Sequence, residues 1–363
     1  MIQQVASRAG WKGPDLAQTE AWFHRLSEDA IADFETAMRT AVASGKDLFD
    51  LGVEDFLLGA AGRAALDVVH DETQQGLGVM VLRGFPVARH EPAHLRLLFW
   101  GLGLHMGVPR PQGKQSQFMS DVTDAGGTYR STTGRGYNTN SKLDFHADNA
   151  DIVGLMCVNA AKRGGESLIA SSVHAHNVML AERPDLVAVL YEPFIFSRQG
   201  EQAPEEGLWY ESPVFSVTEG HFACRHVRNH IKGAQDGFPD LPRLTQAQTE
   251  ALDLFDAILA REDVRFSMHL EPGDMQFLNN HTQLHSRTSY EDWPEPGRRR
   301  LLYRLWLAIP DAQPLAPGLL PTYKDVASKA VRGGFRGVNI TEATRAFEAR
   351  IAAHHDMAMR IYD

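Results

Sequence analysis

The chain has 363 residues, of which 43% are hydrophobic and 23% charged, and its 36 Lys and Arg against 46 Asp and Glu give a formal charge of -10. This composition is typical of a folded globular protein and excludes the disordered, collagen-like and fibrous classes. The acidic balance argues against a broad binding surface for nucleic acid or anionic lipid. An anionic ligand would therefore have to be bound by individual arginines.

The cysteine content and the N-terminus indicate the cellular setting. Cys157 and Cys224, the two cysteines, cannot form a disulfide framework, and both lie in apolar runs that predict buried thiols. The N-terminal residues lack the apolar stretch of a signal peptide, and no window reaches the roughly 18 apolar residues of a membrane helix. We therefore expect a cytoplasmic protein without a membrane or nucleic-acid partner. A homo-oligomer remains compatible with the sequence.

The first part of the chain predicts helices followed by a strand. Over residues 1–75 apolar residues recur at helical spacing, as at Ile31 and Phe34, which predicts a helical N-terminal layer. Residues 78–85 are a short, β-branched apolar run bounded by glycine and proline, which is typical of a buried strand. Helical spacing returns over residues 95–102.

The middle of the chain, residues 77–310, is dominated after about residue 117 by short apolar runs separated by Gly, Asn, Pro and Ser. Such a pattern favours a mostly antiparallel barrel or double-sheet jelly roll over a doubly wound parallel sheet. One inserted helix is predicted near residues 246–260. Residues 311–363 predict a C-terminal extension with a closing helix that Thr341 caps. Because the chain has no linker or repeat, we expect one domain over residues 1–363, mostly β with flanking helices (α+β).

A first candidate for chemistry is the pair His146 and Asp148. Residues two apart on an extended chain point to the same side, so both side chains could reach one metal ion. The same spacing recurs at His70 and His269. His70, however, lies in a helical pattern, where such pairs diverge, and His269 precedes a predicted turn. Each pair alone is weak, because most histidines of this kind lie on the surface or are satisfied in the core.

A third ligand is expected from residues 279–288, which contain His281 and His285. On a strand these two would lie about 13 Å apart, so at most one of them binds the same ion. Two histidines and one carboxylate on one side of an ion form the ligand set of non-heme Fe(II) oxygenases. That set leaves room for a bidentate co-substrate and for dioxygen. A cationic anchor for the far carboxylate of the co-substrate is expected nearby.

Residues 297–307 contain such an anchor. They predict a strand with Arg298, Arg300, Arg304 and Trp306 on one face. A guanidinium matches a carboxylate with two parallel hydrogen bonds. Arg298 lies beside a Pro-Gly turn and is expected on an exposed basic edge. We expect a functional role for Arg300 and Arg304, which Leu and Trp flank; internal salt bridges are the alternative.

These motifs together resemble the taurine dioxygenase TauD/TfdA-like branch of the Fe(II)- and 2-oxoglutarate-dependent dioxygenases. The resemblance covers about residues 77–310, and its motifs are residues 78–85, Phe145-His-Ala-Asp148, Gly164-Gly-Glu-Ser167, Gly273-Asp-Met-Gln-Phe-Leu-Asn-Asn280, Leu284-His-Ser-Arg287 and Arg299-Arg-Leu-Leu-Tyr-Arg304. It implies a double-stranded β-helix (jelly-roll, cupin-like) core. It also implies that His146, Asp148 and His285 ligate iron.

The resemblance further implies how 2-oxoglutarate is bound. Arg300 would bind the distal carboxylate, and Ser167 would offer a hydroxyl to the same group. Arg304 corresponds to an arginine that in relatives lies near the co-substrate or the anionic group of the substrate. Asn280 is expected to orient His285.

Residues that contact the prime substrate are not shared across the family, so none carries over. Candidates lie in the segments with which relatives cover the site: Tyr137, Asn138, Asn140, Trp209, Tyr210, Arg225 and Arg228. Ordinary packing for the aromatic residues and a solvated strand face for the two arginines are the alternative roles.

The function implied is a non-heme iron dioxygenase that uses 2-oxoglutarate and O2 and releases succinate and CO2. It would oxidise an unactivated C–H bond of a small, anionic or amino-acid-like molecule, with hydroxylation as the default outcome. The same ligands would serve desaturation, cyclisation or demethylation, so these outcomes stay open. A jelly-roll protein that binds a metal or small molecule without turnover is the alternative from another class. Arg300 discriminates between the classes, because a binding module does not need it.

Overall fold

The structure, a computed structural model, describes residues 2–127 and 136–362. Its helices are α1 (Gly13–Ala17), α2 (Glu28–Ser44), α3 (Ala60–Gln74), α4 (Pro92–Met106), α5 (Ser172–Glu182), α6 (Pro184–Leu190), α7 (Arg228–Gly237), α8 (Gln246–Leu259), α9 (Leu320–Tyr323) and α10 (Glu342–His354). Its strands are β1 (Phe23–Arg25), β2 (Val79–Arg83), β3 (Val108–Pro109), β4 (Met119–Val122), β5 (Ile152–Asn159), β6 (Arg163–Gly164), β7 (Ser167–Ser171), β8 (Pro193–Ser197), β9 (Trp209–Pro213), β10 (Phe215–Thr218), β11 (His221–Cys224), β12 (Arg265–Met268), β13 (Met275–Asn279), β14 (Gln283–Arg287), β15 (Tyr290–Glu291) and β16 (Leu301–Ala308). Over the described residues the helices contain more of the chain than the strands do, so the protein is a mixture of α and β structure and not mostly β as predicted.

Two sheets position the interior of the protein. The larger, seven-stranded sheet has the order β1-β2-β13-β5-β16-β3, with β4 also paired to β16, and the smaller has the order β12-β7-β14. Side chains of both sheets meet in one buried cluster, in which Val81, Val153 and Leu278 of the larger sheet join Ile169 and Phe266 of the smaller. The two sheets therefore pack face to face, as burial of one apolar face on each requires.

The predicted helical layer covers the other face of the larger sheet. Phe34 of α2, Val69 of α3 and Phe99 of α4 share a buried cluster with Phe277 and Leu305 of the sheet. Strand β2 and helix α4 coincide with the elements predicted from residues 78–85 and 95–102. Local apolar periodicity identified these helices but missed β1, a three-residue strand within residues 1–75 that pairs in parallel with β2.

The helices between the strands are more numerous than the sequence predicts. The predicted helix near 246–260 is α8, but α5, α6 and α7 also lie within residues 77–310. Strand β11 ends at Cys224, and residues 225–227 connect it to α7. The helices α5, α6 and α7 have at most 11 residues and are stabilised by burying apolar residues in the cluster around α8. Such short segments give too few turns for a clear helical period.

The C-terminal extension is joined to the rest of the chain by buried ion pairs. Arg332 donates from Nε to Asp151 Oδ1 at 2.8 Å, and the guanidinium of Arg110 pairs with the fully buried carboxylate of Glu348 in α10. Thr341 caps α10 as predicted, and the helix ends at His354. These contacts hold the extension against the strands that build the cavity.

Two further expectations concern the thiols and membrane segments. Cys157 and Cys224 are both unpaired and buried, as predicted. Over residues 2–127 and 136–362, none of the helices combines the length with the apolar character that crossing a membrane requires.

Candidate metal centre

Strand β14 and the segment before β5 bring the candidate ligands together. The His146 amide donates to the His285 carbonyl at 2.9 Å, and the His285 amide donates back to the His146 carbonyl at 3.0 Å. The next residue, Ala147, donates to the carbonyl of His226 at 3.0 Å. Residues 146–148 are therefore held between β14 and the start of α7. This reciprocal pairing places two segments that are far apart in the sequence side by side.

The side chains of His146, Asp148 and His285 converge at this point. Nε2 of His146 lies 3.8 Å from Oδ1 of Asp148, and Nε2 of His285 lies 3.7 Å from Oδ2. One donor atom from each residue falls within 4.8 Å of the others, and within the described residues no other group of His, Cys, Asp and Glu does so. One small cation can therefore contact all three.

Hydrogen bonds and burial put the three groups in their metal-binding protonation states. The Nδ1 proton of His146 is donated to the Asp144 carbonyl at 2.9 Å, which leaves Nε2 as the free lone pair. Burial lowers the pKa of His146, and burial together with the neighbouring His146 lowers the pKa of His285 to about 3. Both imidazoles are neutral near pH 7.

Asp148 is ionised in the same range. Burial by itself would raise its pKa, but Arg304, the two histidines and a hydrogen bond from Trp306 lower it to about 2. Two neutral imidazoles and one carboxylate, with no thiolate, suit a divalent ion such as Fe(II). The residues present therefore fit the metal that the ligand pattern implies.

His281, the competing histidine, lies elsewhere. Its Nε2 contacts Oδ1 of Asp151 at 2.8 Å, in the buried network that also contains Arg332. The four-residue separation of His281 and His285 thus gives one histidine to the core and the other to the cluster. The sequence prediction that at most one of them reaches the ion agrees with this placement.

Asn280 and Trp306 both contact Asp148. The first contact differs from the sequence prediction, and the second was not predicted. Asn280 was expected to orient His285, but its Oδ1 accepts the Asp148 amide at 3.2 Å, and Nδ1 of His285 has no hydrogen-bond partner within the described part of the chain. That expectation was wrong about the partner. The indole of Trp306 donates to Oδ2 of Asp148 at 2.8 Å, a role that sequence reasoning missed. The only sequence signal for this contact was the alternation of β16, which places Trp306 on the same face as Arg300 and Arg304.

The alternation predicted for residues 297–307 is confirmed from Arg300 onwards, but Pro296–Arg298 form a 3-10 turn and the strand begins only at Leu301. Arg300, Leu302, Arg304 and Trp306 line one cavity together with the three candidate ligands. The opposite face, with Tyr303, Leu305 and Leu307, packs beneath the helical layer. Arg298 is exposed at the preceding turn, as expected.

Arg300 and Ser167 share this cavity but differ in their contacts. Nη1 of Arg300 is buried without a hydrogen-bond partner, and its guanidinium lies 5.0 Å from the ring centre of Tyr290. Across the described residues, no carboxylate lies within 4.0 Å of that guanidinium. The Ser167 hydroxyl donates to Oε1 of Gln276 at 3.2 Å. A buried guanidinium without a counter-charge is suited to an incoming carboxylate.

Arg304 is already paired. Its Nη1 lies 3.3 Å from Oδ2 of Asp148, and its Nε donates to Oε1 of Gln112 at 2.8 Å. The guanidinium lies 5.1 Å from the ring centre of Tyr137 and 4.9 Å from that of Trp306. In this structure Arg304 is therefore a partner of the candidate ligand Asp148.

The substrate candidates separate into two groups. Tyr137, Arg225 and Arg228 line the cavity. The cavity lining does not include the other four: Asn138, Asn140, Trp209 and Tyr210. Trp209 is 39% exposed, whereas the hydroxyl of buried Tyr210 accepts a hydrogen bond from Nη2 of Arg225 at 3.3 Å.

Comparison with known proteins agrees with this geometry. The family model described as taurine catabolism dioxygenase TauD, TfdA family, matches residues 45–306. The chain belongs to the TauD/TfdA family. As a member, it is an Fe(II)- and 2-oxoglutarate-dependent dioxygenase, and its cofactors are iron, 2-oxoglutarate and O2. The resemblance that the motifs indicated is thereby confirmed.

Individual TauD/TfdA relatives cover most of the chain. FR-33289 synthase of Streptomyces rubellomurinus is 32% identical over 329 residues, which are 88% of this chain and 94% of that protein. A taurine hydroxylase-like protein of Stachybotrys chartarum is 28% identical over 81% of this chain and 77% of that protein. A solved structure of asparagine oxygenase with Fe(II), hydroxyasparagine and succinate has a TM-score of 0.59 at 19% identity, covering 79% of this chain and 93% of that one. This last likeness concerns the fold.

Proposed function

We propose that this TauD/TfdA-family protein hydroxylates an unactivated C–H bond of a small anionic or amino-acid-like molecule. The observation that carries the proposal is one cavity lined by His146, Asp148 and His285 and by the carboxylate-free guanidinium of Arg300. A metal-binding module without turnover needs the first three residues only. The two packed sheets are, in this proposal, the halves of a double-stranded β-helix.

In this proposal the three clustered residues hold iron, and Arg300 and Ser167 bind the distal carboxylate of 2-oxoglutarate. Iron held there would activate O2, the oxidant: one oxygen atom would convert 2-oxoglutarate to succinate and CO2, and the other would enter the substrate C–H bond as a hydroxyl group. Arg300 would donate two parallel hydrogen bonds to the carboxylate. Ser167 would turn its hydroxyl from Gln276 towards the same group, since a hydroxyl hydrogen can rotate.

The residues around Asp148 orient its carboxylate and keep it ionised for metal binding. Trp306 and Arg304 both contact Oδ2, so one carboxylate oxygen is held while Oδ1 faces Nε2 of His146. The Asp148 amide is fixed by Asn280. Such supporting contacts orient ligands and keep them charged, which raises metal affinity.

The substrate proposal rests on the cavity and on the relatives. The candidate ligands lie in a cleft that is also lined by Tyr137, Val227 and Phe335, a concave and partly apolar site of the kind that binds small molecules. One relative is named after taurine, a sulfonate. Hydroxylation is preferred as the default outcome, with desaturation, cyclisation and demethylation as the alternatives that product analysis distinguishes.

We also propose that residues 1–363 act as one catalytic unit in the cytoplasm. The helical layer and the C-terminal extension share buried contacts with the strands of the cavity. Two unpaired, buried cysteines suit a reducing compartment.

Succinate release tests the proposal. Replacement of His146 or Asp148 by Ala is expected to abolish succinate formation from 2-oxoglutarate in the presence of Fe(II). His70→Ala is the matched control, because His70 belongs to another His-x-acid motif but contacts Asp311 at 3.1 Å, outside the cavity. Full activity in the Asp148 variant would overturn the ligand assignment. Absence of a visible charge-transfer band from the anaerobic parent with Fe(II) and 2-oxoglutarate would favour the binding module.

A further inference from the structure

We propose that Arg225 binds the anionic group of the prime substrate, an oxyanion of the carboxylate, sulfonate or phosphonate class. This inference rests on the proposed function and assigns to the same cavity a second anion site, separate from Arg300. It is carried by the burial of Arg225, by the absence of a described carboxylate within 4.0 Å of its guanidinium and by its position beside the candidate metal ligands.

Arg225 is a buried cation without a carboxylate partner. Its side chain lines the cavity, although only 1% of the residue is exposed. Nη1 donates to the Ala147 carbonyl at 2.6 Å, Nη2 donates to the Tyr210 hydroxyl at 3.3 Å, and Nε has no hydrogen-bond partner. No described carboxylate lies within 4.0 Å of the guanidinium. Because an uncompensated buried charge costs several kcal/mol, an anion that enters the cavity is stabilised there.

The other arginines of the cavity are accounted for differently. Arg304 pairs with Asp148 at 3.3 Å, and Arg228 pairs with Asp253 at 2.5 Å and with Asp256 at 3.4 Å. Arg287 donates from Nη2 to the carbonyls of Thr139, at 2.9 Å, and Ser141, and its guanidinium lies 4.8 Å from the ring centre of Tyr290. Arg300 also lacks a carboxylate, and the proposed function gives it the distal carboxylate of 2-oxoglutarate. The remaining carboxylate of that co-substrate belongs beside the metal. Arg225 is therefore left for an anion that 2-oxoglutarate does not supply.

The position of Arg225 suits a group that holds substrate next to the reacting centre. Ala147, whose carbonyl accepts its hydrogen bond, lies between His146 and Asp148 in the chain. Helix α7 begins three residues after Arg225, and its N-cap residue Val227 provides no side-chain cap. Residues 227–230, its first turn, line the same cavity. The N-terminal end of this helix dipole favours negative charge in the cavity.

Tyr210 is the positioning residue in this site. It lies outside the cavity lining, and its ring stacks on Phe196 with centroids 5.4 Å apart and an interplanar angle of 10°. Its hydroxyl then holds Nη2 of Arg225. The sequence candidates Tyr210 and Arg225 thus form one unit, in which only the arginine would touch the ligand.

Binding of simple anions to the anaerobic holoenzyme tests the site. The protein with Fe(II) and 2-oxoglutarate is titrated with acetate, methanesulfonate and methylphosphonate, and with dimethyl sulfone as the uncharged probe, while the melting temperature is followed. We expect at least one anion, but not the sulfone, to raise the melting temperature of the parent. In Arg225→Met the apparent affinity for that anion is expected to fall at least 30-fold, and in Tyr210→Phe about 3-fold to 10-fold. The anion that binds most tightly identifies the substrate class.

Controls separate this inference from the proposed function. Arg261→Met removes the same charge from a surface arginine paired with Glu182, so anion binding is expected to be unchanged. The charge-transfer band of Fe(II) and 2-oxoglutarate is expected to persist in Arg225→Met, which also shows that the variant is folded. If Arg225→Met fails to fold, Arg225→Lys replaces it and is expected to weaken the anion by about 10-fold.

Three outcomes decide the matter. Equal anion binding by the parent and the folded Arg225 variant would overturn the inference and leave the proposed function intact. Failure of every anion to bind the parent would also count against the inference. Loss of the charge-transfer band from the parent itself would instead overturn the proposed function.

Discussion

Replacement of Arg300 by Met is expected to separate ligand binding from protein stability. In the structure its guanidinium is buried, Nη1 has no hydrogen-bond partner, and its charge faces no described carboxylate within 4.0 Å. Burial lowers the pKa of Arg300, which means that the charged form is disfavoured before a ligand arrives. An anionic co-substrate would relieve that cost.

The magnitudes follow from these contacts. Truncation of one partner of a buried, hydrogen-bonded charge pair costs about 2–5 kcal/mol, so the Kd for 2-oxoglutarate is expected to rise about 30-fold to several thousand-fold. The free energy of unfolding without ligand is expected to change by only about 1 kcal/mol, since the lost cation–π contact with Tyr290 contributes about 0.5–1 kcal/mol and a desolvated charge is removed as well.

Anaerobic titration of the Fe(II) protein with 2-oxoglutarate, followed by the charge-transfer band, measures the first quantity, and urea unfolding measures the second. Arg299→Met is the matched control, because Arg299 is exposed one residue earlier and carries the same charge. An Arg300 variant that loses about 3 kcal/mol of stability while binding 2-oxoglutarate normally would refute the reasoning and make Arg300 a structural residue.

Three further changes test neighbouring parts of the structure. Ser167→Ala is expected to weaken 2-oxoglutarate about 3-fold to 10-fold in the same titration, the contribution of one hydroxyl hydrogen bond. Trp306→Phe removes the 2.8 Å bond to Asp148, so Fe(II) affinity measured by anaerobic titration is expected to fall about 10-fold. Burial by itself would raise the pKa of Glu206, but the ammonium of Lys324 and neighbouring donors lower it from 4.5 to about 2. Because the folded pKa is the lower one, the stabilisation is present above pH 4.5 and is lost as the pH falls through about 2. Glu206→Gln is expected to lose about 1–2 kcal/mol at pH 7 and only a small part of that at pH 2, measured by urea unfolding.

For each of these three predictions, one result would contradict the reasoning. Unchanged 2-oxoglutarate binding in Ser167→Ala would leave its hydroxyl with Gln276 alone. Unchanged Fe(II) affinity in Trp306→Phe would mean that Arg304 suffices to hold Asp148. A Glu206→Gln variant as stable as the parent at pH 7 would show that solvent screens the pair with Lys324 completely.

Local sequence patterns were sufficient to predict several helices, the cavity-facing side of β16 and one candidate pair of metal ligands. The alternation of residues 297–307 correctly placed Arg300, Arg304 and Trp306 on one face, because strand periodicity depends only on chain geometry. The apolar spacing of the helical layer and the N-cap Thr341 of α10 could be predicted from local sequence as well. The pair His146 and Asp148 was recognisable from spacing alone, although not distinguishable from chance.

Tertiary structure decided what depends on contacts between distant segments. Spacing left His281 and His285 open as partners, whereas the pairing of β14 with residues 146–148 brings His285 to Asp148 and leaves His281 to Asp151. The short helices α5, α6 and α7 exist because they pack around α8, a contact that local periodicity does not encode. The sequence supplies several arginines of equal chemistry. Only the fold pairs Arg228 and Arg304 with carboxylates and leaves Arg225 and Arg300 buried without one, since charge compensation is set by the three-dimensional neighbourhood.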